Sequence, residues 1–408
     1  MRNNRRDGIK YVIILGDGMA DEPIESLGGR TILEAASTPN MDALAAKSEI
    51  GMVHTVPEGM SPGSDTANLS VLGYDPKIYY SGRSPLEALS IGVPMKDTDI
   101  ALRCNIVTVS EEDCPYSEQT IVDHSSSEIS TEDCAVLLEA VRKELETDIF
   151  KFYLGTSYRH CTIWDGGSVV PLTPPHDVLG QKVGDNLPTT PELKEMMEKS
   201  YEILKNHPLN IERKAKGLNP ANSCWFWGAG TKPALSSFEE KTGKKGVMIS
   251  AVDLLKGIGV GASMTNIIVE GADGTLHTNY EGKADAAIKA LTEDGFDFAY
   301  VHVEAPDEFG HQGSFERKIQ AIQFLDEKVI KRIADALDSK NVDYRMLVLP
   351  DHPTPICVRT HTSDPVPYML FDSTDKKAES YDYNEKDAKA TGTFIANGHE
   401  AILHLFEK

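Results

Sequence analysis

The sequence lacks any run of about 18 or more apolar residues, so it offers no membrane-spanning helix. It also lacks the apolar core of a secretory signal: the first residues, Met1-Arg-Asn-Asn-Arg-Arg-Asp-Gly8, are polar, which points to a cytoplasmic protein. Paired cysteines are missing too. The six present (Cys104, Cys114, Cys134, Cys161, Cys224 and Cys357) form no Cys-x-x-Cys motif, and a chain of 408 residues needs no disulfide frame, so they read as free, mostly structural thiols. Basic residues are in deficit: 41 Lys and Arg against 63 Asp and Glu leave a formal net charge of -22. That balance argues against a nucleic-acid partner held by a broad basic surface, because phosphate binding rests on Lys and Arg. It does not exclude a small anionic substrate, since a bound dication reverses the local field.

What is present is ordinary for a globular protein, with 40% apolar and 25% charged residues. The length exceeds a single compact core, so two domains or a core with an insertion are expected. Up to residue 93 the chain alternates strand, loop and helix. Lys10 to Leu15 reads as a strand, Thr38-Pro39 as the N-cap and first position of a helix, Gly51 to Val56 as a strand, and Gly63-Ser64-Asp65-Thr66 as the start of another helix. From 94 to 236 the texture changes to acidic, Ser-rich and Pro-rich patches with its own helices near Thr131 to Thr147 and Thr190 to Asn206; this reads as an inserted domain. The first rhythm resumes in 237–408, with strands at Gly246 to Ser250, Met264 to Glu270 and Asp297 to Glu304, and a long amphipathic helix over Ser314 to Leu337. Strand alternating with helix predicts an α/β core with a mainly parallel sheet covered by helices on both faces. Such sheets collect functional residues at the carboxyl ends of their strands.

Three predicted strands end on metal-type ligands. Tyr11-Val-Ile-Ile-Leu-Gly runs into Asp17, Phe298-Ala-Tyr-Val-His-Val-Glu-Ala-Pro into Asp307 and His311, and Met346-Leu-Val-Leu-Pro into Asp351 and His352. Gly310 is expected to let the backbone turn beside an ion. Ser64 at a helix start and His361 in Arg359-Thr-His-Thr-Ser-Asp364 complete a set of four oxygen and three imidazole donors, enough for two dications. A two-metal site lowers the pKa of a coordinated hydroxyl, so Ser64 is the candidate nucleophile toward phosphorus. Taken singly, Asp17 and Ser64 are more ordinary as helix caps, and His352 and His361 as loop histidines. Their shared placement is what favours a site. His302, among others, reads as structural.

A colinear series of motifs resembles the cofactor-independent phosphoglycerate mutases of the archaeal type, within the alkaline phosphatase superfamily. It comprises Gly16-Asp17-Gly-Met-Ala-Asp21, Pro62-Gly-Ser64-Asp-Thr-Ala-Asn-Leu-Ser-Val-Leu-Gly-Tyr-Asp-Pro76, Tyr80-Ser-Gly-Arg-Ser-Pro-Leu-Glu-Ala88, Ser157-Tyr-Arg-His160, Trp225-Phe-Trp-Gly228, Lys245-Gly-Val-Met-Ile-Ser-Ala-Val-Asp-Leu254, Ala305-Pro-Asp-Glu-Phe-Gly-His311 and Pro350-Asp-His352. The resemblance implies an alkaline-phosphatase-like core with a lid, and interconversion of 3- and 2-phosphoglycerate through a phosphoserine at Ser64. It implies two divalent ions, manganese, zinc or magnesium, and no organic cofactor: one held by Asp307, His311 and His361, the other by Asp17, Ser64, Asp351 and His352. Lys245 matches a lysine that steadies the phosphoryl group, and Arg159, His160 and Asp177 of the lid match groups that hold glycerate. One departure, Val56-Pro-Glu-Gly-Met60 with Asn68 where His is frequent, resembles a bacterial subgroup proposed to phosphorylate homoserine. The partner expected is thus a small phosphorylated metabolite, with no nucleic acid and no membrane, and oligomeric state stays open.

Overall fold

The computed structural model describes residues 8–375, 377 and 380–407, so the polar stretch Met1 to Asp7, and the absence of a signal read from it, lie outside the described residues. Two compact units divide the chain: residues up to Tyr80 together with those from Ala234 on, and Ser81–Pro233. In chain order the strands are β1 (Lys10–Gly16), β2 (Ser48–Val53), β3 (Asp99–Val109), β4 (Ile121–Asp123), β5 (Phe150–Thr156), β6 (Arg159–Asp165), β7 (Ser223–Thr231), β8 (Gly246–Ile249), β9 (Thr265–Asn266), β10 (Phe298–Val303), β11 (Tyr344–Leu349), β12 (Val366–Asp372) and β13 (Phe394–Ile395).

The first unit is built on an eight-stranded sheet in the order β13-β2-β12-β11-β1-β10-β8-β9. From β11 to β9 all neighbours are parallel, and β12 runs antiparallel between β11 and β2. The central strands are almost continuously apolar because both faces are covered. Val12, Ile14, Val301 and Val348 join one core with Leu291, Ile322, Ile333 and Met41 of the flanking helices. Register then levels the strand ends: Gly16 of β1 lies beside Val303 of β10, and Leu15 beside Leu349 of β11. The residues that follow these three strands therefore leave the sheet at one height.

Local differences from the sequence reading have local causes. Of the strand expected over Met264 to Glu270 only Thr265–Asn266 pairs, because its sole neighbour β8 ends at Ile249, and Ile268 beyond it is 70% exposed. The helix expected over Ser314 to Leu337 is interrupted: Phe315–Phe324 and Lys331–Ser339 are α-helical, with a π-helical stretch Leu325–Ile330 between them. Asp326 in that stretch accepts from the backbone N–H of Met41 (2.6 Å) and the side chain of Asn40 (2.6 Å). It thereby satisfies the free donors at the start of helix Pro39–Ala45, and Thr38, expected as the cap, makes no side-chain capping bond.

The second unit has a five-stranded sheet, β4-β3-β6-β5 with β7 also paired to β3, antiparallel throughout. Helices Thr131–Leu145 and Pro191–Leu204 pack on it, burying Leu137, Val141, Met197 and Leu204 with Leu102, Cys104 and Phe226. Its first residue is Ser81 and not residue 94 as the rhythm suggested. Helix Arg83–Ser90 belongs here because Ala88 packs with Ala101, Cys161 and Ile163, and Glu87 accepts both guanidinium arms of Arg103. Its strand-loop-helix texture matched the core, but its apolar side faces β3.

Candidate metal centre

Asp17, the residue after β1, is anchored by its N–H to the carbonyl of Val303 (2.9 Å). The chain then turns through Gly18 at φ +59°, where a Cβ would come within 2.5 Å of Asp307 Oδ1. Only glycine allows both that backbone conformation and that approach. After β10, residues Ala305–Gln312 form a helix, so Asp307 and His311 stand four residues apart on one helical face. Gly310 is inside this helix and makes no turn; a Cβ there would meet the carbonyl oxygen of Thr354 at 2.4 Å, so the glycine admits the segment after β11. Ser64 opens helix Ser64–Val71, where free backbone N–H groups and the helix dipole favour an anion.

These elements converge. His311 Nε2 lies 3.2 Å and His361 Nε2 3.4 Å from the two oxygens of Asp307. Ligand atoms of Asp307, His311 and His361 fall within 4.8 Å of one another, and so do those of Asp17, Asp307 and His352. Ser64 Oγ is 3.1 Å from His352 Nε2, which is 3.6 Å from Asp17 Oδ1 and 3.3 Å from Asp351 Oδ2. All seven residues singled out in the sequence as ligands therefore share one site. The donor set suits divalent cations, with hard carboxylate oxygens and borderline imidazoles. His311 donates its Nδ1–H to the carbonyl of Arg359 (3.0 Å), which leaves Nε2 facing inward. Among the described residues Asp17 Oδ1 is buried with no hydrogen-bond partner, as expected of an oxygen reserved for an ion.

Charge crowding shows in the titration of these groups. Burial, then the charges of Asp351, Asp307 and Glu304, push the Asp17 carboxyl well above its usual range. Asp307 goes the other way: burial opposes ionisation, but bonds from His311 and His361 hold it well below. The bond to Asp307 lifts His311 to about 9 against the effect of its burial, whereas burial lowers His352. Packed carboxylates with opposed shifts mark sites built for a cation or for catalysis.

Curated relatives resolve which family this is. A 2,3-bisphosphoglycerate-independent phosphoglycerate mutase from Methanosarcina barkeri is 47% identical over 97% of this chain and 98% of its own length. The chain belongs to the 2,3-bisphosphoglycerate-independent phosphoglycerate mutases. The profile of the family so described matches residues 45–210. Among solved structures, a protein from Pyrococcus horikoshii superposes with a TM-score of 0.80 at 28% identity, covering 97% of this chain and 96% of that one. The cofactor-independent phosphoglycerate mutase from Thermoplasma acidophilum superposes with a TM-score of 0.67 at 26% identity, covering 98% and 99%. These relatives do not favour the homoserine alternative.

Within this mutase fold, residues the sequence reading passed over support the ligands. His302, read as structural, is fully buried with Nε2 2.9 Å from Asp17 Oδ2, and burial pushes it down to about 3. Asn68 donates from Nδ2 to Asp351 Oδ2 and to the Ser64 carbonyl, both at 2.8 Å, and accepts from the Tyr300 hydroxyl at 2.6 Å. Thr354 donates to Asp307 Oδ1 at 2.5 Å. Lys318, with no exposed surface, donates to Asp21 Oδ2 (2.8 Å) and to the carbonyls of Ala20 and Thr354, tying together the segments after β1 and β11. Tyr300 and His302 did leave a signal: two polar residues in register on one face of an otherwise apolar strand.

Lys245 and His160 lie away from the roles that the resemblance implied for them. Lys245 directly precedes β8, and Gly246 is level with Phe298 at the amino end of β10. At about 3.3 Å per residue, it sits roughly 20 Å from the strand ends that carry the ligands. The lysine at the carboxyl side of β8 is Lys256, in helix Asp253–Gly261, which packs against the helix of Ser64. His160 does not face a ligand: it is buried within the second unit, accepting the Gly155 N–H at Nδ1 with Nε2 3.0 Å from Cys134 Sγ, and burial holds it at about 4. Arg159 is exposed over the Tyr158 ring (5.4 Å), and Asp177 is exposed beside His176 (3.6 Å). His176 in turn packs edge-on to Trp227, which also carries the Arg103 guanidinium at 4.4 Å and donates from Nε1 to Asn105 Oδ1 at 3.1 Å.

Proposed function

We propose that this protein interconverts 3-phosphoglycerate and 2-phosphoglycerate, a step of glycolysis and gluconeogenesis, through a phosphoserine at Ser64. The observation that carries the reading is the placement of Ser64 Oγ at a helix start, 3.1 Å from His352 Nε2, inside a cluster of carboxylates and imidazoles. Asp307, His311 and His361 would hold one divalent ion, and Asp17, Ser64, Asp351 and His352 a second, from among manganese, zinc and magnesium. Bound there, the ions neutralise phosphoryl charge and lower the pKa of the Ser64 hydroxyl.

Ser64 Oγ then attacks phosphorus, the bond from phosphorus to the C3 oxygen breaks, and glycerate keeps that oxygen and takes up a proton. After glycerate re-orients, its 2-hydroxyl attacks the phosphoserine, loses its proton and frees Ser64. Backbone N–H groups at the start of helix Ser64–Val71 bind the phosphoryl oxygens. Lys256, whose Nζ pairs with Asp253 Oδ1 at 3.0 Å, is our candidate to steady them in place of Lys245. The protein works in the cytoplasm on a small phosphorylated metabolite. The test is interconversion in the absence of 2,3-bisphosphoglycerate, abolished by a chelator and restored by metal. Metal-loaded protein without turnover on phosphoglycerate would overturn the reading.

A further inference from the structure

The mechanism above leaves unused a chain of polar side chains sealed behind Asp17: His302 and Lys283 without exposed surface, and Ser250 at 6%. We infer that His302 is a positioning residue that selects which oxygen of Asp17 faces the dication, with Ser250 setting the tautomer that lets it do so. The inference rests on the two-ion reading given above.

Ser250 Oγ receives the Val252 N–H at 3.0 Å, and among the described residues the acceptor bonded to its own proton is His302 Nδ1, at 3.1 Å. With Nδ1 accepting, the ring proton of His302 is on Nε2, and it is donated to Asp17 Oδ2 at 2.9 Å. Oδ2 is thereby engaged. Oδ1 remains buried, without a hydrogen-bond partner among the described residues, on the side of His352 and Asp307. A buried carboxylate oxygen left bare is costly unless a cation takes it, so the arrangement presents one oxygen inward and ties the other back. Lys283 fixes the backbone on which the ring turns, donating from Nζ to the His302 carbonyl at 2.9 Å. Partners behind a ligand of this kind orient it and tune its affinity for the ion.

Manganese binding to the full-length protein, followed by titration calorimetry beside thermal melts in chelator, separates this role from simple packing. Glutamine at 302 keeps a donor where the imidazole Nε2–H lies; leucine fills the space without one. Wild type is expected to bind two ions, and His302→Leu to lose roughly 10- to 100-fold in affinity at one site with the other unchanged. His302→Gln should stay within a few-fold of wild type, and Ser250→Ala should show a smaller loss at the same site. Equal losses in the Leu and Gln variants, parallel losses at both sites, or no change would overturn the inference while leaving the two-ion reading in place. Should His302→Leu not fold, unchanged affinity in Ser250→Ala overturns it instead. Wild-type protein that binds fewer than two ions overturns both.

Discussion

Replacing Gly310 by alanine is a perturbation whose sign separates local helix preference from the packing of the metal centre. Within a helix, Gly→Ala ordinarily stabilises by up to about 1 kcal/mol. Here the new methyl would lie 2.4 Å from the Thr354 carbonyl oxygen and 2.7 Å from its Cγ2, against an ordinary contact of 3.4 Å or more. The two segments must therefore part by about 1 Å. Thr354 cannot retreat freely, because its carbonyl is held by Lys318 (2.8 Å) and its hydroxyl by Asp307 (2.5 Å). Overpacking of this size costs about 1–3 kcal/mol, so the net effect is a loss of up to about 2 kcal/mol. The helix that shifts carries Asp307 and His311, and a displacement of about 1 Å at a reacting centre costs roughly 100-fold in rate. Urea denaturation of metal-free protein and steady-state turnover read the two effects separately. A Gly310→Ala protein that melts at higher urea and turns over normally would refute the account of why glycine is there.

Other substitutions test the reassigned residues. Lys245→Ala should leave turnover unchanged, whereas Lys256→Ala should lower kcat roughly 100-fold if that lysine steadies the phosphoryl group. Lys318→Met leaves Asp21 buried without its counter-charge and should destabilise by about 3–5 kcal/mol, with the Lys318→Met/Asp21→Asn double variant losing much less, read by urea denaturation. His160, held at about 4 by burial against 6.5 for a free histidine, takes up a proton on unfolding between those values. Its contribution is therefore complete above pH 6.5 and is lost as pH falls toward 4, by roughly 3 kcal/mol in all. The stability of His160→Gln, measured by denaturant titration across that window, should fall less steeply with acid than that of wild type.

The candidate centre was legible where an apolar run delivers a ligand, as β1 delivers Asp17, β10 Asp307 and β11 Asp351 with His352, because parallel topology gathers those strand ends. Strand polarity also exposes the misplaced Lys245: a residue that opens a parallel strand lies at the opposite edge of the sheet from one that follows it. His302 left only a weak mark, as one of two polar residues with Tyr300 on one face of an apolar strand, and only the fold brings it against Asp17. His160 shows the reverse, since its motif does not say which face of β6 it occupies. The unit boundary at Ser81 was obscured because helix Arg83–Ser90 follows the rhythm of one unit and packs its apolar side in the other.

The central claim is that Ser64 carries the phosphoryl group between the two positions of glycerate. Acid-quenched protein incubated with 3-phosphoglycerate and manganese, digested and sequenced by mass spectrometry, tests it directly. The account predicts phosphate on Ser64, and neither phosphopeptide nor interconversion in Ser64→Ala. Undiminished interconversion by Ser64→Ala, or phosphate trapped on another residue during turnover, would contradict it.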